Sequence, residues 1–202
     1  MQLDHLAVSG ATLHEARTHV EDALGVNMQP GGEHDVFHTH NALMGLEDGL
    51  YLEAIAINPD APQPDRPRWF ALDDFEGAAR LTNWICRTDD LKTDMHNLPA
   101  SMGTPVALQR GDLRWRMVVP KTGHLPFDNL CAALIKWDTP LHPATAMVQT
   151  GCRLRRLTLT HPDADALKAT LDKVMRDDRI AIETGAVAMQ AEFSTPHGPR
   201  NL

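Results

Sequence analysis

One strand-like pattern occurs three times along the sequence, each time just ahead of a helix-like segment. The copies lie at residues 3–8, 81–86 and 154–159. A unit that recurs along a chain usually packs against its copies and shares a core with them. The third residue of the pattern changes from His5 to Asn83 to Arg156. Packing alone gives no reason for three different polar groups at one inward-facing position, so the repeats predict a binding site shared between units.

The first unit is predicted as β-α-β-β-β within residues 1–58. Thr12 and Glu15 have the spacing of a capping box, which begins a helix directly after the leading strand. Asp48-Gly49 between two apolar runs is typical of a β-hairpin.

The second unit, within residues 80–140, shows the same order of elements. Four prolines in residues 58–68 predict a semi-rigid linker before it. The two units together span residues 1–150. Residues 151–202 are predicted as a shorter βαββ unit that packs on the same domain.

Charge and cysteine content exclude several classes of protein. The 202 residues include 27 Asp and Glu against 19 Lys and Arg, for a net charge of −8. Nucleic acids and anionic membranes bind basic surfaces, so neither is an expected partner. No apolar run approaches the ~18 residues that cross a bilayer. Three widely spaced cysteines are typical of buried thiols in a reducing compartment. With a strand pattern beginning at the second residue and no visible secretory signal, we expect a cytoplasmic protein.

Several short motifs accompany the repeats. They are Leu-Asp-His-Leu-Ala-Val at 3–8, Gly31-Gly32-x-His34, Thr39-His40-Asn41-Ala42-Leu43, Tyr51-Leu52-Glu53, Gly123-x-Leu125-Pro126-Phe127 and Ile135-Lys136-Trp137. Together with the paired units, they make the chain resemble the vicinal oxygen chelate superfamily, which includes glyoxalases, extradiol dioxygenases and fosfomycin-resistance proteins. The glyoxalase-like domain proteins are the most similar branch. The resemblance implies an α+β fold in which paired βαβββ modules curl into a half-barrel, with a third partial βαββ unit at the C-terminus of this chain.

The resemblance also implies a site where His5, Glu53, Asn83 and Lys136 converge. His5 and Glu53 suit one divalent ion, which would be zinc, manganese, iron or nickel. Asn83 offers an amide oxygen, a weaker ligand, and is also a candidate substrate-binding residue. Lys136 stands where the superfamily would place a second carboxylate, and its charge repels a metal at close range. A bound metal and a metal-free cleft therefore both remain open.

Lys136 has three alternative roles in such a cleft. It can pair with Glu53, hold an anionic substrate, or act as a base if its pKa is depressed. The fourth interpretation is that Lys136 simply extends to solvent from the end of a strand.

His40 would complete a set of two histidines and one carboxylate with His5 and Glu53. A two-residue turn at Asp48-Gly49 pairs Met44 with Glu53, which leaves His40 roughly 13 Å further along the strand. We therefore predict that His40 binds substrate at the rim of the cleft. A three-residue turn would place it on the opposite face.

Arg114 and Arg116 alternate with apolar residues in residues 113–119. If the apolar face packs on a helix, both arginines point into the cleft and bind a carboxylate or phosphate. The alternative is that they lie in solvent.

The resemblance, together with these residues, implies a small-molecule protein of the glyoxalase-like type. One reading is a metal-assisted lyase, isomerase or dioxygenase-type enzyme that acts on an anionic, oxygen-rich small molecule, with Glu53 and Lys136 as catalytic residues. The second is a metal-free binding or sequestering protein with a degenerate metal site, and the third is a structural or interaction module whose cleft is vestigial. The sequence leaves a homodimer open.

Overall fold

The structure is a computed structural model that describes residues 1–202. Its helices are α1 (Leu13–Leu24), α2 (Leu91–Asn97) and α3 (Ala164–Leu171). Its first eight strands are β1 (Gln2–Ser9), β2 (Gln29–His34), β3 (Thr39–Leu46), β4 (Leu50–Ile57), β5 (Arg80–Arg87), β6 (Thr104–Arg110), β7 (Leu113–Val119) and β8 (Ala133–Trp137). The last four are β9 (Arg153–His161), β10 (Ile180–Thr184), β11 (Ala188–Thr195) and β12 (Gly198–Asn201).

The first eight strands form one sheet in the order β2-β3-β4-β1-β5-β8-β7-β6. Each half contains one β-α-β-β-β module, in which the leading strand pairs in parallel with the fourth strand. The two leading strands, β1 and β5, pair antiparallel and join the halves. The predicted α+β fold with paired modules is confirmed.

The sheet curls until its two edge strands approach each other. Arg110 at the end of β6 lies against Gly32 of β2, where a Cβ atom would come within 2.7 Å of the arginine Cδ. A larger residue at position 32 would displace the Arg110 side chain, so this glycine lets the two edges of the sheet approach each other. We call the face enclosed by this curl the inner face of the sheet.

Helix α1 begins and ends at the residues that the sequence indicates. The Thr12 hydroxyl accepts a hydrogen bond from the Glu15 amide at 3.1 Å. Gly25 ends the helix in the left-handed conformation, with φ of 71°. Ala16, Val20 and Leu24 form the buried stripe that packs this helix on the sheet.

The turn between β3 and β4 differs from the prediction. It contains three residues, Glu47–Gly49, with Asp48 at φ of 63°, so Leu46 pairs with Leu50. The predicted two-residue turn is therefore wrong by one residue. A shift of one residue exchanges the two faces of a strand. Leu43 instead of Met44 pairs with Glu53.

The C-terminal unit forms a separate sheet in the order β10-β9-β11-β12. It has one strand more than the predicted βαββ unit, because residues 198–201 pair with β11. Its apolar residues belong to the same 48-residue core as the large sheet, and Met175 contacts Cys86 of β5. The three cysteines are buried and unpaired. None of the helices has the length and apolar character needed to span a membrane.

Candidate functional site

A small cavity lies inside the curled sheet. Its free volume is about 30 Å³, which is room for one or two water molecules. Aromatic side chains supply much of its wall. They are Tyr51, Trp69, Phe70, Trp115 and Trp137.

His5 and Glu53 meet in this cavity. Strands β1 and β4 pair in parallel, with His5 beside Tyr51 and Ala7 beside Glu53, so both side chains lie on the inner face. His5 Nε2 is 3.7 Å from Glu53 Oε2. The imidazole stacks on the Tyr51 ring at 4.3 Å between ring centroids. This packing fixes the plane of the ring and aims Nε2 toward the carboxylate.

Asp4 holds the other side of the His5 ring. A register shift between Leu3 and His5 leaves Asp4 without a pairing partner on β5, and its side chain turns toward the cavity. Asp4 Oδ1 is 2.6 Å from His5 Nδ1, and Oδ2 accepts hydrogen bonds from Trp137 Nε1 at 3.0 Å and His142 Nε2 at 2.8 Å. Complete burial raises the pKa of Asp4, but the hydrogen bonds from His142 and His5 outweigh burial and hold it well below its usual value.

An ionised Asp4 determines the tautomer of His5. A carboxylate only accepts hydrogen bonds, so Nδ1 of His5 carries the proton that is donated to Asp4. In the neutral ring, the lone pair of Nε2 then points into the cavity. Orientation of an imidazole by a buried carboxylate is a feature of acid–base sites and also of metal-binding histidines.

Asn41 connects Glu53 to a cation. Its Nδ2 donates to Glu53 Oε1 at 2.5 Å, and its Oδ1 accepts from the Gly32 amide at 2.8 Å and from Arg110 Nη1 at 3.2 Å. Arg110 forms no ion pair with a carboxylate of the protein. The cavity therefore has a guanidinium near one end that is free to bind an anion.

His34 is a second histidine of the cavity wall, and it is uncharged. Its Nδ1 lies 3.0 Å from the Thr39 hydroxyl, and its ring meets the edge of Trp69 at 4.9 Å. Burial, followed by the nearby charge of Arg110, lowers its pKa to about 3. His34 therefore contributes a neutral polar group to the wall.

Lys136 does not reach this cavity. Its neighbours Ile135 and Trp137 line the inner face, so Lys136 points to the outer face. There its Nζ donates to the Asp89 carbonyl at 2.7 Å. The predicted convergence of Lys136 with His5 and Glu53 is wrong, because the lysine occupies the opposite face of β8.

Arg114 and Arg116 are also outside the cavity. Trp115 lies on the cavity wall, which places both arginines on the other face. Arg116 forms two hydrogen bonds to Asp138, at 3.0 and 2.5 Å, and Arg114 donates to the Asp112 carbonyl. The predicted placement in the cleft is wrong because the apolar face of β7 forms the cavity wall instead of packing on a helix.

His40 and Asn83 have different outcomes. His40 pairs with Ala56 on the face opposite to Glu53, as a three-residue turn requires, so its predicted place at the rim is wrong. Asn83 lies on the inner face, across Ala7 from Glu53, and is fully buried without a hydrogen-bond partner. It does not line the cavity, and its role as a substrate-binding residue stays a prediction.

The donors present do not fit a resident divalent metal ion. His5 and Glu53 offer two ligands, and no three His, Cys, Asp or Glu side chains are arranged to hold an ion. Catalytic zinc sites use three protein ligands, and Asn83 adds only an amide. Four residues of the site were missed by sequence reasoning: Asp4, Asn41, Arg110 and His142. Asp4 lies next to His5 in the motif at 3–8, and Asn41 lies next to His40 in the motif at 39–43. These positions were the only signal in the sequence, and Arg110 and His142 belong to no motif.

The sequence matches one described protein family over most of its length. A family model described as a glyoxalase-like domain matches residues 3–175. No curated protein matches the sequence significantly.

Among solved structures, a hypothetical protein from Staphylococcus aureus is similar with a TM-score of 0.63 and 13% identity, over 92% of this chain and 86% of that one. Methylmalonyl-CoA epimerase from Mycobacterium tuberculosis is similar with a TM-score of 0.41 and 20% identity, over 67% of this chain and 86% of the epimerase. A variant of the Streptomyces coelicolor methylmalonyl-CoA epimerase in complex with 2-nitronate-propionyl-CoA is similar with a TM-score of 0.44 and 14% identity. The match covers 70% of this chain and 99% of that one. The first of these similarities supports the fold.

Proposed function

Because the chain belongs to the glyoxalase-like domain family, we propose that it is an enzyme that transfers a proton at a carbon atom next to a carbonyl group of a small anionic substrate. One observation carries this proposal: buried Asp4 holds His5 at 2.6 Å, and His5 Nε2 lies 3.7 Å from Glu53 in a cavity enclosed by the curled sheet. An oriented imidazole of this kind is a general base.

His5 takes the proton in this mechanism. Nε2 removes it from the carbon atom, and the charge of Asp4 stabilises the imidazolium that forms. Glu53 Oε2 lies 3.7 Å from Nε2, and a small approach of the two groups in the substrate complex brings it within hydrogen-bond distance, where it accepts the proton or returns it to the substrate as an isomerase requires. The Asn41 amide keeps the second oxygen of Glu53 occupied, so Oε2 is the oxygen that acts.

Arg110 binds the anion. Loss of a proton next to a carbonyl leaves negative charge on oxygen, and a guanidinium in a site of low polarity stabilises that charge strongly. Arg110 takes the role that the sequence suggested for Lys136, Arg114 and Arg116. The aromatic wall favours a planar substrate.

The test is deuterium incorporation from D2O into small keto acids, followed by NMR. Pyruvate, α-ketoglutarate and phenylpyruvate form the panel, and methyl pyruvate is the uncharged control. We expect exchange above the uncatalysed rate for a charged keto acid, and a loss of about 100-fold or more in His5→Asn and Glu53→Gln. Arg110→Gln should reduce the preference for pyruvate over its methyl ester.

Arg80→Gln is the matched control for Arg110→Gln, because Arg80 is an exposed arginine that does not line this cavity. Exchange that survives in His5→Asn would contradict the proposal. Saturable binding of a keto acid without exchange would instead support the metal-free binding protein.

A further inference from the structure

The cavity is covered on one side by the chain that connects the large sheet to the C-terminal unit. This segment, residues 139–149, runs between two anchored ends. At its start, the Asp138 side chain accepts hydrogen bonds from Arg116, and the Asp138 amide donates to the Arg114 carbonyl at 2.8 Å. At its end, the Val148 amide donates to Gln29 Oε1 at 3.2 Å. Gln149 pairs with Gly45, and the Thr150 hydroxyl donates to the Gly45 carbonyl at 2.7 Å. The segment is therefore fixed at both ends and spans the cavity between them.

The segment forms the roof of the cavity with little packing of its own. Pro143 and Met147 line the cavity from this side. Met147 and Ala144 pack with Leu43 and Tyr51 in a cluster of four buried residues that is separate from the 48-residue core. The other apolar walls belong largely to that core. The roof is thus the wall that can move while the core stays intact.

Some wall must move for the proposed reaction. A free volume of about 30 Å³ holds one or two water molecules but no keto acid. The segment also exposes Leu141 and Val148, each at 72%, so much of it already lies outside the packed protein.

The roof carries one polar side chain into the site. His142 Nε2 donates to Asp4 Oδ2 at 2.8 Å, and its Nδ1 accepts from the Ala144 amide at 3.3 Å. Trp137 of β8 is the other hydrogen-bond donor to this oxygen, and Arg87 Nη1 of β5 lies 3.8 Å from it. The hydrogen bonds that hold Asp4 are therefore complete only when the roof is in place.

We infer that residues 139–149 are a lid that opens to admit substrate, and that His142 is a positioning residue by which the closed lid fixes the Asp4–His5 pair. The inference rests on the proposed proton transfer for its purpose. It connects closure of the cavity to orientation of the base, because one side chain serves both. His142 acts through Asp4 and does not touch the reacting atoms.

Gly45→Ala tests the lid. A Cβ at position 45 would lie 2.6 Å from the Val148 carbonyl oxygen, so the segment must shift. The readout is the rate at which diethyl pyrocarbonate modifies His5, measured by mass spectrometry. We expect a several-fold increase for His5 and none for His161, a buried histidine outside the cavity that reports unfolding. Val148→Thr, on the exposed side of the lid, is the matched control and should label like wild type.

His142→Ala and His142→Gln test positioning. The readout is the NMR signal of the His5 Nδ1 proton, which is slow to exchange only while Asp4 holds it. We expect the signal to be lost in His142→Ala and kept in His142→Gln, whose amide can donate to Asp4.

Unchanged labelling of His5 in Gly45→Ala would overturn the lid, and a retained signal in His142→Ala would overturn the positioning role. Neither readout needs turnover. Absence of deuterium transfer in a protein that passes both tests would refute the proposed function and leave the lid in place.

Discussion

Replacement of His34 by Gln should make the protein less sensitive to mild acid. Burial lowers the pKa of His34 to about 3, whereas a histidine in the unfolded chain has its usual value of 6.5. Between these values the unfolded chain binds a proton that the folded protein does not. The free energy of unfolding therefore falls as the pH drops below 6.5 and levels off near the folded pKa.

The magnitude follows from one proton. One pKa unit corresponds to about 1.4 kcal/mol, and integration from pH 7 to pH 5 gives a loss of about 2 kcal/mol from this residue. Wild type and His34→Gln are compared by urea denaturation at both pH values. Gln keeps a polar group near the Thr39 hydroxyl but does not titrate.

The expected result is a smaller loss in His34→Gln, by about 2 kcal/mol. His14→Gln is the matched control, since His14 lies exposed on α1, and it should behave like wild type. Equal losses in wild type and His34→Gln would refute the reasoning, because His34 would then take up its proton in the folded protein. The assignment of His34 as an uncharged group beside Arg110 would then be wrong as well.

Three further predictions concern the site. Asp4→Asn should lower the free energy of unfolding at neutral pH by about 2 kcal/mol, because it removes hydrogen bonds to a charged group. The pKa of Asp4 in the folded protein lies below the usual 3.8, so the stability that ionised Asp4 contributes is present above pH 3.8 and is lost on further acidification. Denaturation curves of wild type and variant should therefore converge in acid. Asn41→Leu should cost about 1–3 kcal/mol in urea denaturation, since the Gly32 amide and Glu53 lose their partner; an unchanged midpoint would contradict the connection. Lys136→Ala should leave deuterium exchange at the wild-type rate, because Lys136 lies on the outer face, and a large loss would restore it as a catalytic candidate.

Local signals were sufficient to predict the modules. The helix cap at Thr12 and the repeated leading strands depend on interactions within a few residues, and the structure contains both. The turn at Asp48-Gly49 was harder, because the same dipeptide fits turns of two or three residues. The observed turn exchanges His40 for Asn41 on the inner face, so one residue in a loop decided which side chain enters the site.

The remaining errors have physical causes that a single sequence does not reveal. Regular strand alternation puts neighbouring residues on opposite faces, but a register shift in β1 turns the Asp4 side chain toward His5 and the cavity. The prediction also assumed a polar inner face on β7 and β8, whereas Trp115 and Trp137 line the cavity. His142 lies 138 positions from Asp4 along the chain, and only the folded connection brings the two together.

The most direct test of the Asp4–His5 pair is the nitrogen NMR spectrum of ¹⁵N-histidine-labelled protein at neutral pH. Asp4 should hold the proton of the His5 ring on Nδ1 and leave Nε2 unprotonated toward Glu53, and Asp4→Asn should abolish this preference. A ring that carries a proton on Nε2 in the wild-type protein would have no lone pair for the substrate, and that result would contradict His5 as the base.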